Sequence, residues 1–110
     1  MNYGYYLTGW RGGYSQRSKG GTYGLRFGRL RKVLIEGKPD YLELHLTGRG
    51  DVRVIVTAGF WNRCPEVRHR EIGAWIMGQG IKMPWPSGKP PRFPIERVGR
   101  NSFRVGTAIR

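Results

Sequence analysis

The sequence predicts a mainly β domain of the α+β class: a bent antiparallel sheet or small open barrel of about five to six strands, with one covering helix near 65–79. Three observations carry this. Residues 41–57 hold two segments that alternate apolar and polar side chains around a glycine-containing turn, the pattern of an antiparallel hairpin. Residues 93–107 repeat that pattern around Val98-Gly99-Arg100-Asn101. Between the two lies one stretch, Cys64–Gln79, whose apolar residues recur with a helical period. A chain of 110 residues supplies one core, so residues 1–110 are expected to form a single domain.

Residues 1–24 have the composition of an arm or irregular flap. They hold five of the six Tyr (Tyr3, Tyr5, Tyr6, Tyr14, Tyr23), Trp10 and seven Gly. Gly12-Gly13 and Gly20-Gly21 bracket Tyr14–Lys19, which has no apolar period and reads as a mobile loop. Short extended pieces are expected on either side, over Asn2–Trp10 and Thr22–Phe27, and the alternation of Tyr3, Tyr5 and Leu7 lets the first join a sheet.

Residues 24–36 are strand-like but out of phase. Leu25 and Phe27 fit one face, Leu30 falls on the other, and Val33 with Ile35 return to the first. Gly28 is the natural place for a bulge that resets the phase. A helix over 29–35 is the alternative, though a short one.

Gly37-Lys38-Pro39-Asp40 is a turn. Tyr41–Leu46 then puts Leu42, Leu44 and Leu46 opposite Tyr41, Glu43 and His45, and Val52–Thr57 puts Val52, Val54 and Val56 opposite Arg53, Ile55 and Thr57. The Leu/Val face is the expected core. Arg49-Gly50-Asp51 spells a cell-adhesion tripeptide, read here as turn chemistry.

In Cys64–Gln79, Pro65 suits a first helical position and Glu66 lies near the positive helix end. Pro65, Arg68, Ile72, Trp75 and Ile76 share one side of the wheel, so the Arg68 stem is expected to snorkel along Trp75. Gly78 and Gly80 supply the stop. The helix-turn-helix arrangement is missing, because no partner helix and turn precede this helix. Residues 82–94 carry five of the seven Pro and read as a stiff strap across the body, with Trp85 as a plug.

Charge narrows function more than fold does. Twenty Lys and Arg face seven Asp and Glu, a formal net charge of +13, which argues for a polyanionic partner. The first acid is Glu36, so seven cations precede any carboxylate: Arg11, Arg17, Lys19, Arg26, Arg29, Arg31 and Lys32. Arg outnumbers Lys by fifteen to five, and the guanidinium fork grips phosphate and stacks on bases.

Nucleic-acid binding needs cations for phosphate and flat rings for bases. The expected interface takes Tyr5, Trp10, Arg11, Tyr14, Arg17, Lys19 and Tyr23 from the arm, for stacking or groove insertion. Arg26, Arg29, Arg31 and Lys32 form a phosphate platform, and Arg53, Arg68 and Arg70 extend it, with His45 beside Arg53. DNA and RNA fit equally, and an exposed sheet edge permits a homodimer.

Other classes are disfavoured. No apolar run approaches the roughly 20 residues of a membrane span, and the N-terminus lacks a signal-peptide layout. Cys64 is alone, so no disulfide forms, and Cys64, His45 and His69 would need a carboxylate to complete a metal site. A cytoplasmic protein without metal or cofactor is expected. The carboxylates are scattered, no phosphate-cradling loop ends in Lys-Ser/Thr, and no catalytic residue is assigned. The expected function is a non-enzymatic DNA- or RNA-binding domain. The first alternative is a basic interaction module or inhibitor that docks on an acidic, nucleic-acid-like protein surface through Trp61, Trp75, Trp85 and the strap. The second is a small metal-independent ribonuclease using His45 or His69.

Overall fold

A computed structural model describes residues 4–12, 23–83, 85–86 and 88–109. The strands among them are β1 (Tyr5–Arg11), β2 (Tyr23–Arg26), β3 (Tyr41–Leu46), β4 (Gly50–Ile55), β5 (Glu66–Arg68), β6 (Arg92–Arg97) and β7 (Ser102–Val105). The helices are α1 (Leu30–Leu34), α2 (Ala58–Trp61) and α3 (Arg70–Met77). The strands make one sheet in the order β4-β3-β7-β6-β1-β2-β5, curled into an almost closed barrel. Its two edges, β4 and β5, face a cavity lined by Ile55, Thr57, Phe60, Glu66, Val67 and Arg68.

The mainly β, small-barrel expectation holds, with seven strands in place of five to six. The 41–57 hairpin forms with Leu42 opposite Val54 and Leu44 opposite Val52, all buried. The second hairpin pairs Ile95 with Val105 and Arg97 with Phe103. One pairing is not antiparallel: β3 and β7 run parallel, with Leu44 beside Phe103 and Leu46 beside Val105. That join connects the two hairpins and brings both apolar faces into one interior.

Gly28 does reset the chain, but into a helix and not a continuing strand. Its φ of +56° turns the backbone after Phe27, and α1 follows. The out-of-phase Leu30 thereby reaches the core periphery, where a strand would have pointed it away.

The helix expected near 65–79 is shorter. Residues 66–68 are strand β5, paired with β2 through Gly24–Arg68, Leu25–Val67 and Arg26–Glu66. His69 is the N-cap of α3, its Nδ1 accepting the Glu71 backbone N–H at 3.0 Å. An edge strand gives Val67 a buried place against β2 that a helical turn would forfeit. Arg68 accordingly does not lie along Trp75; it projects from the sheet.

Both barrel ends are plugged. At one, α3 buries Ile72, Trp75 and Ile76, and the Trp75 indole N–H donates to the Thr47 carbonyl at 2.9 Å. At the other, α1 and α2 close over Phe27, whose ring meets Phe60 and Phe103 edge-on at 5.4 and 6.2 Å. The strap does cover the body: the Trp85 ring lies 5.2 Å from that of Tyr23. A Cβ on Gly9 would sit 3.0 Å from the Trp85 ring and 2.9 Å from Pro91, so the strap closes against bare backbone.

Candidate nucleic-acid interface

Strand parity decides which side chains leave the barrel. On β1, Leu7 and Gly9 point inward, so Tyr6, Thr8 and Trp10 point outward. Pairing then extends each position sideways. Thr8 lies between Arg92 of β6 and Arg26 of β2, and Arg26 lies beside Glu66 of β5. One row further on, Trp10 lies beside Gly24, and Gly24 beside Arg68.

Gly24 is the pivot of that row. With no side chain at this position of β2, Arg68 reaches over the strand and places its guanidinium carbon 5.2 Å from the Trp10 ring centroid. A Cβ at Gly24 would collide with the Val67 carbonyl and lie 3.2 Å from Arg68 Cγ and 3.3 Å from Trp10 Cε3. On the same outer face Arg92 stands 5.1 Å from the centroid of the Tyr6 ring. Both distances lie within cation–π reach. Arg26 donates to the Glu66 carboxylate at 3.2 Å, yet its own side chain is 51% exposed. The outer face of β6, β1, β2 and β5 therefore alternates guanidinium groups with flat rings.

Five carboxylates elsewhere are spent on individual partners. Glu36 takes Arg97, Glu43 takes Arg53, Glu71 takes Arg49, Glu96 takes Arg104 and Asp51 takes His45. Hydrogen bonds from Arg97 and Arg49, reinforced by their charge, hold Glu36 and Glu71 below the usual glutamate range. The Glu43 hydrogen bond raises Arg53 further. Among the described residues, Arg68 and Arg92 have rings for neighbours where these arginines have carboxylates.

The sequence-level site divides accordingly. Trp10, Arg26 and Arg68 come together, and Arg11 ends the same strand as Trp10, exposed. Arg70 is exposed at the start of α3, two residues beyond Arg68. Tyr5 is 41% exposed but on the inward parity of β1, so it does not join Tyr6 and Trp10. Tyr23 is a core residue, 8% exposed under Trp85, and offers no stacking face. Arg53 stands on β4, where it is already engaged, bound to Glu43 and stacked on Tyr41 at 4.1 Å. Tyr14, Arg17 and Lys19 lie outside the described residues.

The expected platform also separates by role. Arg29 and Lys32 are exposed. Arg31 is a structural tie: its guanidinium donates to the carbonyls of Gly28, Trp61 and Asn62, joining α1 to α2. Its Nε is buried without an acceptor. Among the described residues the early cations thus divide by role and do not act as one platform.

Sequence reasoning counted Tyr6 among the arm's aromatics but left it out of the interface, and it missed Arg92. Tyr6 carries a signal, since it is four residues from Trp10 and shares its strand face. Arg92 could be found only from the β1–β6 register. Of the two candidate catalytic histidines, His69 is committed as a helix cap, and His45 holds Asp51 at 2.6 Å on an exposed strand face. Among the described residues no three His, Cys, Asp or Glu side chains gather as a metal site would need, and no helix is long and apolar enough to cross a membrane. Compared with protein-family models, curated proteins and solved structures, the chain gives no match in any of the three.

Proposed function

We propose that this domain binds nucleic acid on the outer face of β6, β1, β2 and β5, as a binding module. The observation that carries the reading is the Arg68–Trp10 pair across Gly24. An aromatic face already matched to a guanidinium can accept an unpaired base, while the displaced or sandwiching cation turns to the phosphate. Arg92 over Tyr6 repeats the arrangement, and Arg26 and Arg29 continue the positive path along and beyond β2.

Tyr6 and Trp10 are four residues apart on one strand, about 13 Å. Bases in a stacked helix repeat every ~3.4 Å along a strand. That spacing is close to four such steps and does not discriminate; stacking on Tyr6 and Trp10 does, because it needs unpaired bases and so suits a single strand better than a duplex. The docking-module alternative fares worse, because Trp75, one of its anchors, is buried with its N–H spent on Thr47.

The test is a gel-shift panel of single- and double-stranded DNA and RNA at two salt concentrations. Single strands are expected to bind best. With about four phosphates neutralised, the log-log salt slope should be near −3. Binding that ignores salt, or a strict preference for duplex, overturns the reading.

A further inference from the structure

A second concave surface lies away from the sheet face, between α1 and α2. Arg31, Lys32, Ile35, Gly37, Lys38 and Trp61 line a cleft of ≈ 390 Å³. That volume falls in the usual range for small-molecule sites. Its walls carry three cations, an indole and an aliphatic side chain, and no carboxylate. The contrast is with the neighbouring cavity of ≈ 510 Å³ across Gly37 and Lys38, which contains Glu36 and Glu43 together with Lys38 and Arg100. Glu36 turns to that side, where Arg97 holds it at 2.8 Å. The net field in the α1–α2 cleft is therefore positive.

The walls are held in place before any ligand arrives. The Trp61 ring packs edge-on against the buried Phe60 at 4.9 Å. Arg31 fixes the Trp61 and Asn62 carbonyls from α1, so its terminal nitrogens are spent on building the cleft. Lys32, one residue on, and Lys38 are exposed and leave their ammonium groups for an anion. Gly37, at φ +66°, makes the turn that sets Lys38 at the rim. An indole and the edge of the buried Ile35, in one cleft with two exposed ammonium groups, describe a ligand that is flat and apolar at one end and anionic at the other.

We propose that this cleft binds a nucleoside phosphate, with the base against Trp61 and Ile35 and the phosphate between Lys32 and Lys38. The site goes beyond the sheet-face reading and uses none of its aromatic residues. The nucleoside phosphate is either a free nucleotide or one unstacked nucleotide of a strand, and the experiment separates these.

The 110-residue chain is titrated with AMP, adenosine, inorganic phosphate and a short single-stranded oligonucleotide, following tryptophan fluorescence and calorimetric heat. AMP is expected to saturate a fluorescence change that disappears in Trp61→Phe and persists in Trp10→Phe. Lys38→Ala should weaken AMP by about tenfold, the size of one charge-assisted contact. Adenosine or phosphate alone should bind at least about tenfold more weakly than AMP, because each fills half the cleft. If AMP gives no signal but Lys38→Ala and Trp61→Phe weaken the oligonucleotide, the ligand is a nucleotide within a strand. The proposal is overturned if neither AMP nor the oligonucleotide responds to Lys38→Ala and Trp61→Phe. Oligonucleotide binding that then still depends on Trp10 would leave the sheet-face reading standing. Circular dichroism of each variant confirms that loss of binding is not loss of fold.

Discussion

Arg49 grips Glu71 with two nitrogens, Nε at 2.9 Å and Nη2 at 2.7 Å from the same carboxylate oxygen. Arg49 belongs to the β3–β4 turn and Glu71 to the first turn of α3. The pair therefore fastens the plug helix to the barrel end, alongside the Trp75–Thr47 hydrogen bond. It also couples that closure to pH.

The Arg49 hydrogen bond, then its charge, hold the Glu71 carboxyl below its ordinary value of 4.5. Glu36 is held down in the same way by Arg97. A carboxyl with a depressed folded-state pKa stabilises the fold above its unfolded value and loses that stabilisation as pH falls through its folded value. Thermal unfolding followed from neutral pH to well below 4.5 should show a falling midpoint, and Glu71→Gln should flatten that fall. Both partners are exposed, so added salt should shrink the difference between the two proteins. An identical acid limb in the variant would remove Glu71 from the account.

Gly24 should not tolerate a methyl group. Its Cβ would strike the Val67 carbonyl, backbone that belongs to the paired strand β5. Gly24→Ala is expected to destabilise by about 1–3 kcal/mol, the usual effect of overpacking a closed site. Gly4→Ala, where a Cβ meets nothing within 4 Å, is the control and should be near neutral. Urea denaturation of both variants is the measurement. If Gly24→Ala folds with full stability, β5 is not tightly bound to β2.

Much of this architecture is written in the sequence, and the failures have identifiable causes. The 41–57 and 93–107 hairpins are legible because strict alternation and glycine turns are local signals. The parallel β3–β7 join is not legible, because register between distant strands leaves no mark in either one. Residues 66–68 illustrate the competition: Pro65, Glu66 and the apolar wheel favour helix, but pairing of Val67 with Leu25 wins. On the functional side, charge and aromatic content point to a polyanion. Which cations share one face with the rings depends on Gly24 and on the β1–β6 register, which are tertiary facts. Tyr23 shows the opposite error, since an aromatic in a basic segment proves to be core.

Trp10 and Arg68 should fail in different ways. Trp10→Ala removes a ring and no charge, so it should weaken single-strand binding by about 1–3 kcal/mol while the salt slope stays fixed. Arg68→Ala removes one cation, so the slope should become shallower by about 0.7. Gel shifts over a salt series read both quantities at once. A Trp10→Ala protein that binds like the wild type would exclude stacking at that position.

Arg29 and Arg31 are equivalent cations in the sequence and different objects in the fold. Arg29 is exposed just before α1, whereas Arg31 gives its guanidinium to the Gly28 carbonyl and to the Trp61 and Asn62 carbonyls, and the last two hold α1 against α2. Arg29→Ala should leave the unfolding midpoint unchanged and weaken binding equally across oligonucleotide sequences, because a phosphate contact reads no bases. Arg31→Ala should lower stability, since part-buried acceptors lose a charged donor, at about 1–3 kcal/mol. It should also loosen Trp61, which calorimetry and tryptophan emission would register without any ligand present. An Arg31→Ala protein with wild-type stability and a reduced salt slope would make Arg31 a phosphate contact after all, and would leave the closure of that barrel end to the packing of Phe27, Phe60 and Leu34.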